Sequence, residues 1–451
     1  MKIRFLGATG TVTGSRYVVQ HDGTKLLIDC GLFQGLKALR QKNWQAFPFD
    51  PSALDAVVLT HAHLDHSGYL PRLMREGFRG PIYCTPATRD LVAILLPDSA
   101  KLQEADAERA NRHGYSKHKP AEPLYTSEEA EAVLKQLQPQ PFHTPFTVGG
   151  LQIAFSPVGH ILGAACIRLT AGDEILTFSG DVGRGNDPLM QPPEPLSATD
   201  YLVLESTYGD RRHAADDAKQ RLGQIVRETV LRGGTLMVPA FAVGRAQTLL
   251  HLLTELRASG DIPAAPVYLD SPMAIDVSDI LCRYQSEHRL SESECKAMCS
   301  GVTYVRDAND SRKLAQNRNP KIIVAGAGML TGGRILHHLE AFGGDHRSTL
   351  VITGYQAEGT RGRALLNGER TVKVYGDYVT VNCHLETLDG LSGHADYVEL
   401  GNWLATLPSP PKRLFLTHGE PTAAASMQRY LSERFGWNIE IPEEGDEVEL
   451  A

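Results

Sequence analysis

The segment Thr60 to His66 reads Thr-His-Ala-His-Leu-Asp-His and holds four side chains that bind metal ions well. It directly follows a short apolar run that is typical of a buried strand. Neutral imidazole and carboxylate are the ligands that a borderline divalent ion such as zinc takes up. Alternation along the chain lets His61 and His63 point the same way, while Asp65 and His66 face a second position. The segment therefore predicts metal chemistry, with a His-rich polar loop as the alternative.

Single ligand-type residues follow three further strand-like runs. They are His160 after Gly159, Asp181 after Gly180, and His418 after the run Leu414 to Thr417. Alone, each would more often be a turn residue or a cap. Together with the first segment they favour a shared site, because several strand ends can converge on one edge of a sheet sandwich. Seven ligands would suit two metal ions: His61, His63 and His160 on one, Asp65, His66 and His418 on the other, with Asp181 bridging.

The elements that must position these ligands alternate between short strands and helices. Strand-like runs cover residues 16–20, 25–29, 55–60 and 81–84, separated by turns or by a helix-like stretch over 68–76. This pattern predicts an α/β sandwich. Residues 101–123 read as helix plus surface loop, and the capping box from Thr126 to Glu129 opens a helix predicted to run to Leu137.

After Arg211 the predicted pattern of secondary structure changes, and longer strands alternate with longer helices. Strands are predicted over 235–239, 267–269, 321–325 and 349–353, and helices over 217–231, 244–256 and 334–341. Such alternation is typical of parallel βαβ crossovers. We expect a second domain inserted into the first, with residues 1–207 and 383–451 forming one domain and residues 208–382 the insert.

Composition excludes several classes of protein. The 451 residues are 42% hydrophobic and 22% charged, without repeats or low-complexity tracts, as in globular proteins. The longest apolar stretch stops at Pro97, far short of a membrane span, and neither a signal peptide nor paired Cys-x-x-Cys motifs are visible among the seven cysteines. We expect a cytoplasmic protein that contacts no membrane. The net charge of −8 does not decide the substrate, because a local basic groove can still hold phosphates.

These motifs resemble two known groups of sequences. The segment His61 to His66, Gly159-His160, the triplet Ser179 to Asp181 and His418 are similar to the metallo-β-lactamase fold. The segments 205–211, 239–247 and 392–396 resemble motifs of its β-CASP branch, nucleic-acid hydrolases related to the endonuclease of messenger-RNA 3′-end formation.

The resemblance implies an α/β fold, a metallo-β-lactamase αββα sandwich with an inserted β-CASP domain. It also implies that Glu205, His394 and His418 are the motif A, B and C residues. A histidine at the last position is similar to RNA-acting members. Compared with that family, we expect neither the amino-terminal RNA-binding extension of archaeal relatives nor the carboxy-terminal dimerisation domain of some bacterial ones, so a homodimer stays open.

We expect a zinc-dependent ribonuclease that binds two Zn²⁺ ions and hydrolyses single-stranded RNA as an endonuclease. A second, 5′-to-3′ exonuclease activity is compatible with the same site. Two divalent ions lower the pKa of a bridging water and clamp the phosphodiester. Asp65 would bind metal and accept the proton of that water. His394 would donate a proton to the leaving oxygen, with Glu205 fixing its tautomer. Asp29 would orient the histidines, or else cap a turn.

Alternative hypotheses about the function and about two segments of the sequence stay open. The same metal site could hydrolyse DNA or a small molecule, or the chain could be a metal-free RNA-binding scaffold. The glycine-rich segment 325–334 could hold a phosphate or simply pack a turn, and no nucleotide cofactor is predicted from it. Arg361 and Arg363 could bind the phosphates of an RNA backbone, or they could be solvent-exposed arginines of a loop without a ligand.

Overall fold

A computed structural model describes residues 1–114, 116–213 and 217–450, and the chain divides into two compact units. The sandwich unit comprises Met1–Asn186, Gln191–Arg212 and His394–Ala451. The inserted unit comprises Asp187–Met190 and His213–Gly393. The domain limits expected from the sequence stay a prediction, and residues 115, 214–216 and 451 within them lie outside the described residues.

The sandwich unit contains two seven-stranded sheets. The strands of the first sheet, numbered along the chain, are β1 (Lys2–Phe5), β2 (Tyr17–His21), β3 (Thr24–Ile28), β4 (Ala56–Val58), β5 (Ile82–Cys84), β6 (Leu137–Pro139) and β22 (Glu447–Glu449). Their order is β22-β1-β2-β3-β4-β5-β6. The pairs from β22 to β3 are antiparallel, and the pairs from β3 to β6 are parallel.

The second sheet has the order β21-β20-β11-β10-β9-β8-β7. Its strands are β7 (Phe146–Val148), β8 (Leu151–Pro157), β9 (Ala165–Ala171), β10 (Glu174–Phe178), β11 (Tyr201–Glu205), β20 (Arg413–Thr417) and β21 (Ile439–Glu440). Strands β10, β11 and β20 are mutually parallel neighbours. In β8 buried and more exposed residues alternate, as expected for a strand with one face on the core.

A hydrophobic core fills the space between these two sheets. Phe5 and Tyr17 of the first sheet pack on Phe415 and Phe178 of the second, respectively, with ring centroids 5.4 Å apart in each pair. The helices of this unit are α1 (Lys37–Lys42), α2 (Leu64–Ser67), α3 (Leu70–Arg75), α4 (Pro86–His113), α5 (Ser127–Leu134), α13 (Tyr397–Leu404) and α14 (Pro421–Phe435). Helix α4 packs on β6, and α14 packs on β20 and β21. The arrangement confirms the predicted αββα sandwich.

The inserted unit has a six-stranded sheet of order β14-β13-β15-β12-β16-β19. Its strands are β12 (Thr235–Pro239), β13 (Val267–Asp270), β14 (Thr303–Tyr304), β15 (Lys321–Ala325), β16 (Thr349–Thr353) and β19 (His384–Leu388), with a separate hairpin of β17 (Thr371–Val374) and β18 (Asp377–Thr380). Every pair in the six-stranded sheet is parallel, which confirms the predicted crossovers. The central strands β12 and β15 are fully buried and mostly apolar, as is typical of parallel sheets.

The helices of the inserted unit are α6 (Ala218–Leu231), α7 (Arg245–Ala258), α8 (Pro272–Leu281), α9 (Glu292–Ser300), α10 (Ala308–Gln316), α11 (Ile335–Phe342) and α12 (Arg361–Leu366). In the described ranges, none of the helices of either unit is both long and apolar enough to pass through a membrane.

One predicted helix boundary is wrong. The capping box at Thr126 does open α5, but the helix ends at Leu134 rather than at Leu137. Leu137 pairs with Ile82 in the first sheet, so a long-range strand ladder replaces the last predicted turn.

Candidate metal centre

The carboxyl ends of parallel strands place the predicted ligands at the edge of each sheet. In the second sheet, β10 leads to Asp181, β11 ends at Glu205, and β20 leads to His418. In the first sheet, the parallel strands β3 and β4 lead to Asp29 and His61. The candidate side chains therefore gather where parallel strands end, which is the usual binding edge of such sheets.

The backbone turns sharply at several of these strand ends. Gly180, before Asp181, has φ +57°, and a Cβ there would lie 2.8 Å from Cβ of Thr60. Asp29 and His418 also adopt left-handed conformations, with φ of 57° and 51°. Non-glycine residues rarely do so, and such strain persists where the surrounding structure fixes a functional side chain.

Four residues form a first ligand cluster: His61, His63, His160 and Asp181. Nδ1 of His63 lies 3.1 Å from Nε2 of His61 and 3.2 Å from Nε2 of His160. Oδ2 of Asp181 lies 3.4 Å from Nε2 of His61 and 3.6 Å from Nε2 of His160. Burial lowers the pKa of His61 well below its usual value, aided by the nearby His66, so this imidazole is neutral and able to bind metal.

Three residues form a second ligand cluster: Asp65, His66 and His418. Nε2 of His66 lies 3.1 Å from Nε2 of His418, which is 3.6 Å from Oδ2 of Asp65. Both imidazoles are buried. The two clusters together contain all seven ligands that the sequence predicted.

Asp181 lies between the clusters. Its Oδ2 faces the first cluster, whereas its Oδ1 is 3.3 Å from Nε2 of His66 and 3.5 Å from Nδ1 of His418. Burial alone would raise the pKa of Asp181, but the imidazoles of His418 and His66 hold it well below the usual value. The carboxylate is therefore ionised, with one oxygen turned toward each cluster.

The spacing of the ligand atoms fits metal ions. Ligand atoms around a tetrahedral zinc ion with bonds of about 2.0–2.1 Å lie roughly 3.3 Å apart. Within the described residues, the buried Oδ1 of Asp181 makes no hydrogen bond. Buried polar atoms are rarely left so, and paired ring nitrogens of neutral imidazoles cannot both donate. A bound metal ion would satisfy the converging nitrogens and this carboxylate oxygen.

Hydrogen bonds behind the ligands fix their orientation. Nδ1 of His66 lies 2.7 Å from Oδ2 of Asp29, and Oγ1 of Thr60 donates to the same oxygen at 2.8 Å. Oγ1 of Thr60 is also 3.1 Å from Nδ1 of His61. On the other side, Oγ1 of Thr207 lies 3.0 Å from Nδ1 of His418. Each contact engages Nδ1 and directs Nε2 toward the cluster, as such partners do in metal sites.

Glu205 and His394 form a pair beside the clusters. Nδ1 of His394 lies 3.2 and 3.3 Å from the two carboxylate oxygens of Glu205, which is 2% exposed. The amide of Val182 donates to Oε1 of Glu205 at 2.6 Å. The His394 ring centroid is 4.5 Å from that of His160. Burial alone would lower the pKa of His394, but Glu205 raises it to about 9.

Asp396, two residues beyond His394, has a structural role. Its side chain accepts hydrogen bonds from the amides of Val398 and Glu399 and caps α13.

Profiles of three known families match the chain. The metallo-beta-lactamase superfamily profile matches residues 9–232, the Beta-Casp domain profile residues 246–365, and the Zn-dependent metallo-hydrolase RNA specificity domain profile residues 378–442.

Ribonuclease TTHA0252 of Thermus thermophilus is 36% identical to this chain over 458 residues, covering 100% of this chain and 98% of the relative. The chain belongs to the β-CASP family of metallo-β-lactamase-fold hydrolases. Two further relatives of this β-CASP protein are transcription termination factors FttA. The factor of Pyrococcus abyssi is 31% identical, and the match covers 100% of this chain and 71% of the factor. The factor of Methanocaldococcus jannaschii is also 31% identical, and the match covers 93% of this chain and 67% of the factor.

Among solved structures, the crystal structure of a protein of unknown function from Enterococcus faecalis resembles this β-CASP protein with a TM-score of 0.55 and 15% identity. The match covers 100% of this chain and 99% of the other, and at this identity it shows the fold alone. Family membership makes the chain a metal-dependent hydrolase.

Two arginines that the sequence offered for RNA binding in this β-CASP protein have local partners. Arg361 donates to the carbonyls of Leu330 and Thr331 at 2.9 and 3.1 Å, and Arg363 pairs with Glu358 at 2.8 Å. These contacts favour a structural role for both side chains.

Sequence reasoning missed Thr60 and Thr207 as orienting residues of this β-CASP protein. Both lie within two residues of predicted functional residues in the chain, Thr60 directly before His61 and Thr207 two residues after Glu205. Their position near predicted ligands and catalytic residues was the only hint of this role in the sequence. Threonine is too common beside strand ends for that position to identify an orienting residue.

Proposed function

We propose that this protein is a zinc-dependent ribonuclease that hydrolyses phosphodiester bonds of single-stranded RNA and binds two Zn²⁺ ions. The observation that carries the proposal is the pair of ligand clusters sharing Asp181, with ligand atoms spaced as metal ions require. The names of the relatives support RNA as the substrate, since one is a ribonuclease and a matching profile describes an RNA specificity domain.

The residues divide into ligands and proton carriers. His61, His63 and His160 would hold one ion, Asp65, His66 and His418 the other, and Asp181 would bind both. When bound, the ions supply a water of lowered pKa and neutralise charge on the phosphate. Asp65, the most exposed carboxylate of the clusters with 21% of its side chain accessible, would accept the proton of the attacking water.

His394 would act on the leaving group. The 3′-oxygen departs as a poor leaving group unless it receives a proton. Because Glu205 engages Nδ1 of His394, the proton to be donated is the one on Nε2. Glu205 therefore serves as a positioning residue that fixes the tautomer and the ring orientation.

Cleavage assays test this function. Labelled single-stranded RNA, duplex RNA, single-stranded DNA and nitrocefin are incubated with the purified protein, with and without EDTA. We expect cleavage of single-stranded RNA that EDTA removes and zinc restores. A circular RNA isolates endonuclease action, because it has no end from which an exonuclease could start.

Two variants sharpen the assay. Asp181→Asn should lose cleavage, whereas Asp173→Asn, on an exposed turn of the same unit, should cleave normally. Hydrolysis of nitrocefin or DNA alone would favour another hydrolase, and RNA binding without turnover would favour a scaffold. Cleavage that persists in EDTA would contradict the proposal.

A further inference from the structure

A cavity of about 420 Å³ lies on the outer face of the first sheet. Phe5 and Tyr17 point into the core between the sheets, so the alternating residues Arg4, Leu6 and Arg16 face the opposite side. These three residues line the cavity. No ligand of either metal cluster lines it.

Arg16 is a buried cation in the wall of this cavity. The residue is 6% exposed, and within the described ranges no carboxylate lies within ion-pair distance of it. Nε donates to the carbonyl of Gly31 at 2.9 Å, and Nη2 to Oδ1 of Asn43 at 3.3 Å. The guanidinium carbon lies 3.9 Å from the ring centroid of Tyr69. Glu444 lines the same cavity and acts on Arg16 electrostatically without forming an ion pair with it. A buried charge without a contacting counter-ion is costly, so an anion in the cavity would stabilise Arg16.

Hydrogen bonds and ring contacts hold the residues around Arg16 in place. Nδ2 of Asn43 donates to the carbonyl of Phe33 at 2.8 Å, and the hydroxyl of Tyr69 donates to the carbonyl of Asn43 at 2.7 Å. The Phe33 ring lies 4.9 Å from the Arg16 guanidinium. These contacts hold the guanidinium in place before any ligand arrives, which reduces the entropy cost of binding.

The other charges of the wall are also mostly positive. Arg4 donates to the carbonyl of Pro48 at 3.1 Å, and Lys42 pairs with Glu444. The lining thus holds three cations and one carboxylate, which leaves two positive charges in excess. Phosphate is one of the anions that arginine side chains bind through charge-assisted, often bidentate hydrogen bonds.

The cavity is larger than a phosphate needs, and aromatic side chains form part of its remaining wall. Phe33, Phe47 and Tyr69 line it, and the Phe47 and Tyr69 rings lie 5.0 Å apart. Ligand pockets of this size take a small organic molecule, and aromatic side chains stack on nucleobases. We propose that this cavity is a nucleotide site, in which Arg4 and Arg16 bind the phosphate of a nucleoside monophosphate and the aromatic walls hold its base. The ligand is a free mononucleotide or one nucleotide of an RNA strand.

Isothermal titration of the purified protein with AMP tests this site. Arg4→Gln and Arg16→Gln should each weaken AMP binding by about ten-fold or more, because each removes a charge-assisted contact. Lys2→Gln is the matched control, since Lys2 lies two residues from Arg4 on β1 but pairs with Glu447. If Arg16→Gln does not fold by circular dichroism, Arg4→Gln decides the result.

Competition experiments separate this site from the metal centre. His63→Ala should bind AMP with unchanged affinity, so the site is testable even if the protein cleaves no RNA. Displacement of AMP by a single-stranded oligoribonucleotide would identify an RNA strand as the ligand, and resistance to it a free mononucleotide. Absence of AMP binding at millimolar concentration, equal affinity for inorganic phosphate, or unchanged affinity in both arginine variants would overturn the proposal.

Discussion

Nδ1 of His66 lies 2.7 Å from Oδ2 of Asp29, and both side chains are only 2% exposed. Asp29 also accepts hydrogen bonds from the amide and the hydroxyl of Thr60, at 2.7 and 2.8 Å. A single carboxylate therefore orients one ligand of the second cluster directly and His61 of the first cluster through Thr60.

Asp29→Ala should weaken metal binding without removing a ligand. We expect zinc affinity to fall about 10–100-fold, as is typical when a partner behind a ligand is lost. Titration against a competing zinc chelator measures the change. Asp173→Asn is the control, and equal affinities in all three proteins would show that Asp29 only shapes the turn.

His63→Ala should abolish RNA cleavage and reduce bound zinc from about two ions per chain to about one, because Nδ1 of His63 faces two other ligand nitrogens. Elemental analysis of the purified variant measures this loss. His113→Ala, which alters an exposed histidine at the end of α4, should retain metal and activity. A fully metallated His63→Ala protein would remove His63 from the ligand set.

His394→Ala should reduce turnover by about 10²–10⁴-fold and retain both metal ions, since loss of a proton donor slows only the chemical step. Glu205→Gln should lie between this variant and the native protein, because the histidine remains but its tautomer is no longer fixed. Single-turnover kinetics and metal analysis on the same samples separate the two functions. Loss of zinc from His394→Ala would show that His394 is a ligand instead.

The stability of the inserted unit should depend on Asp270. This buried carboxylate accepts hydrogen bonds from Arg334, His338 and Ser311 at 2.5, 2.7 and 2.5 Å. Burial alone would raise the pKa of Asp270, but these hydrogen bonds hold it below its usual value. Its stabilisation is therefore complete above the unfolded pKa of about 3.9 and disappears as the pH falls through the lower folded value.

Asp270→Asn should accordingly destabilise the protein by about 3 kcal/mol at pH 7, as loss of a buried charge partner does. The difference in melting temperature from the native protein should shrink once the pH falls below about 4. Asp276→Asn, which breaks a surface pair with Arg306, should change little at any pH. A difference that is constant with pH would contradict the assignment.

Much of the metal centre was predictable, because its signals are local. Each ligand follows a strand at short range, so the positions of His160, Asp181 and His418 could be read before any pairing was known. The family and the sandwich with its inserted domain are confirmed by the profiles and by the sheets. The roles of the individual site residues stay predictions.

The element boundaries that the sequence did not predict depend on contacts between distant segments of the chain. Strand β22, Glu447–Glu449, is polar and exposed, and only its pairing with β1 makes it a strand. The end of α5 is set by the pairing of Leu137 with Ile82. Neither partner lies near in sequence, so local patterns of polarity could not predict these boundaries.

Anomalous X-ray scattering at the zinc edge, from crystals of the protein purified without chelator, tests the central claim most directly. We predict two peaks, one about 2.0–2.1 Å from ligand nitrogens of His61, His63 and His160, the other equally close to His66 and His418. Each peak should also lie within bonding distance of one Asp181 oxygen. The absence of a peak at this edge, or a metal bound by none of these residues, would contradict the account.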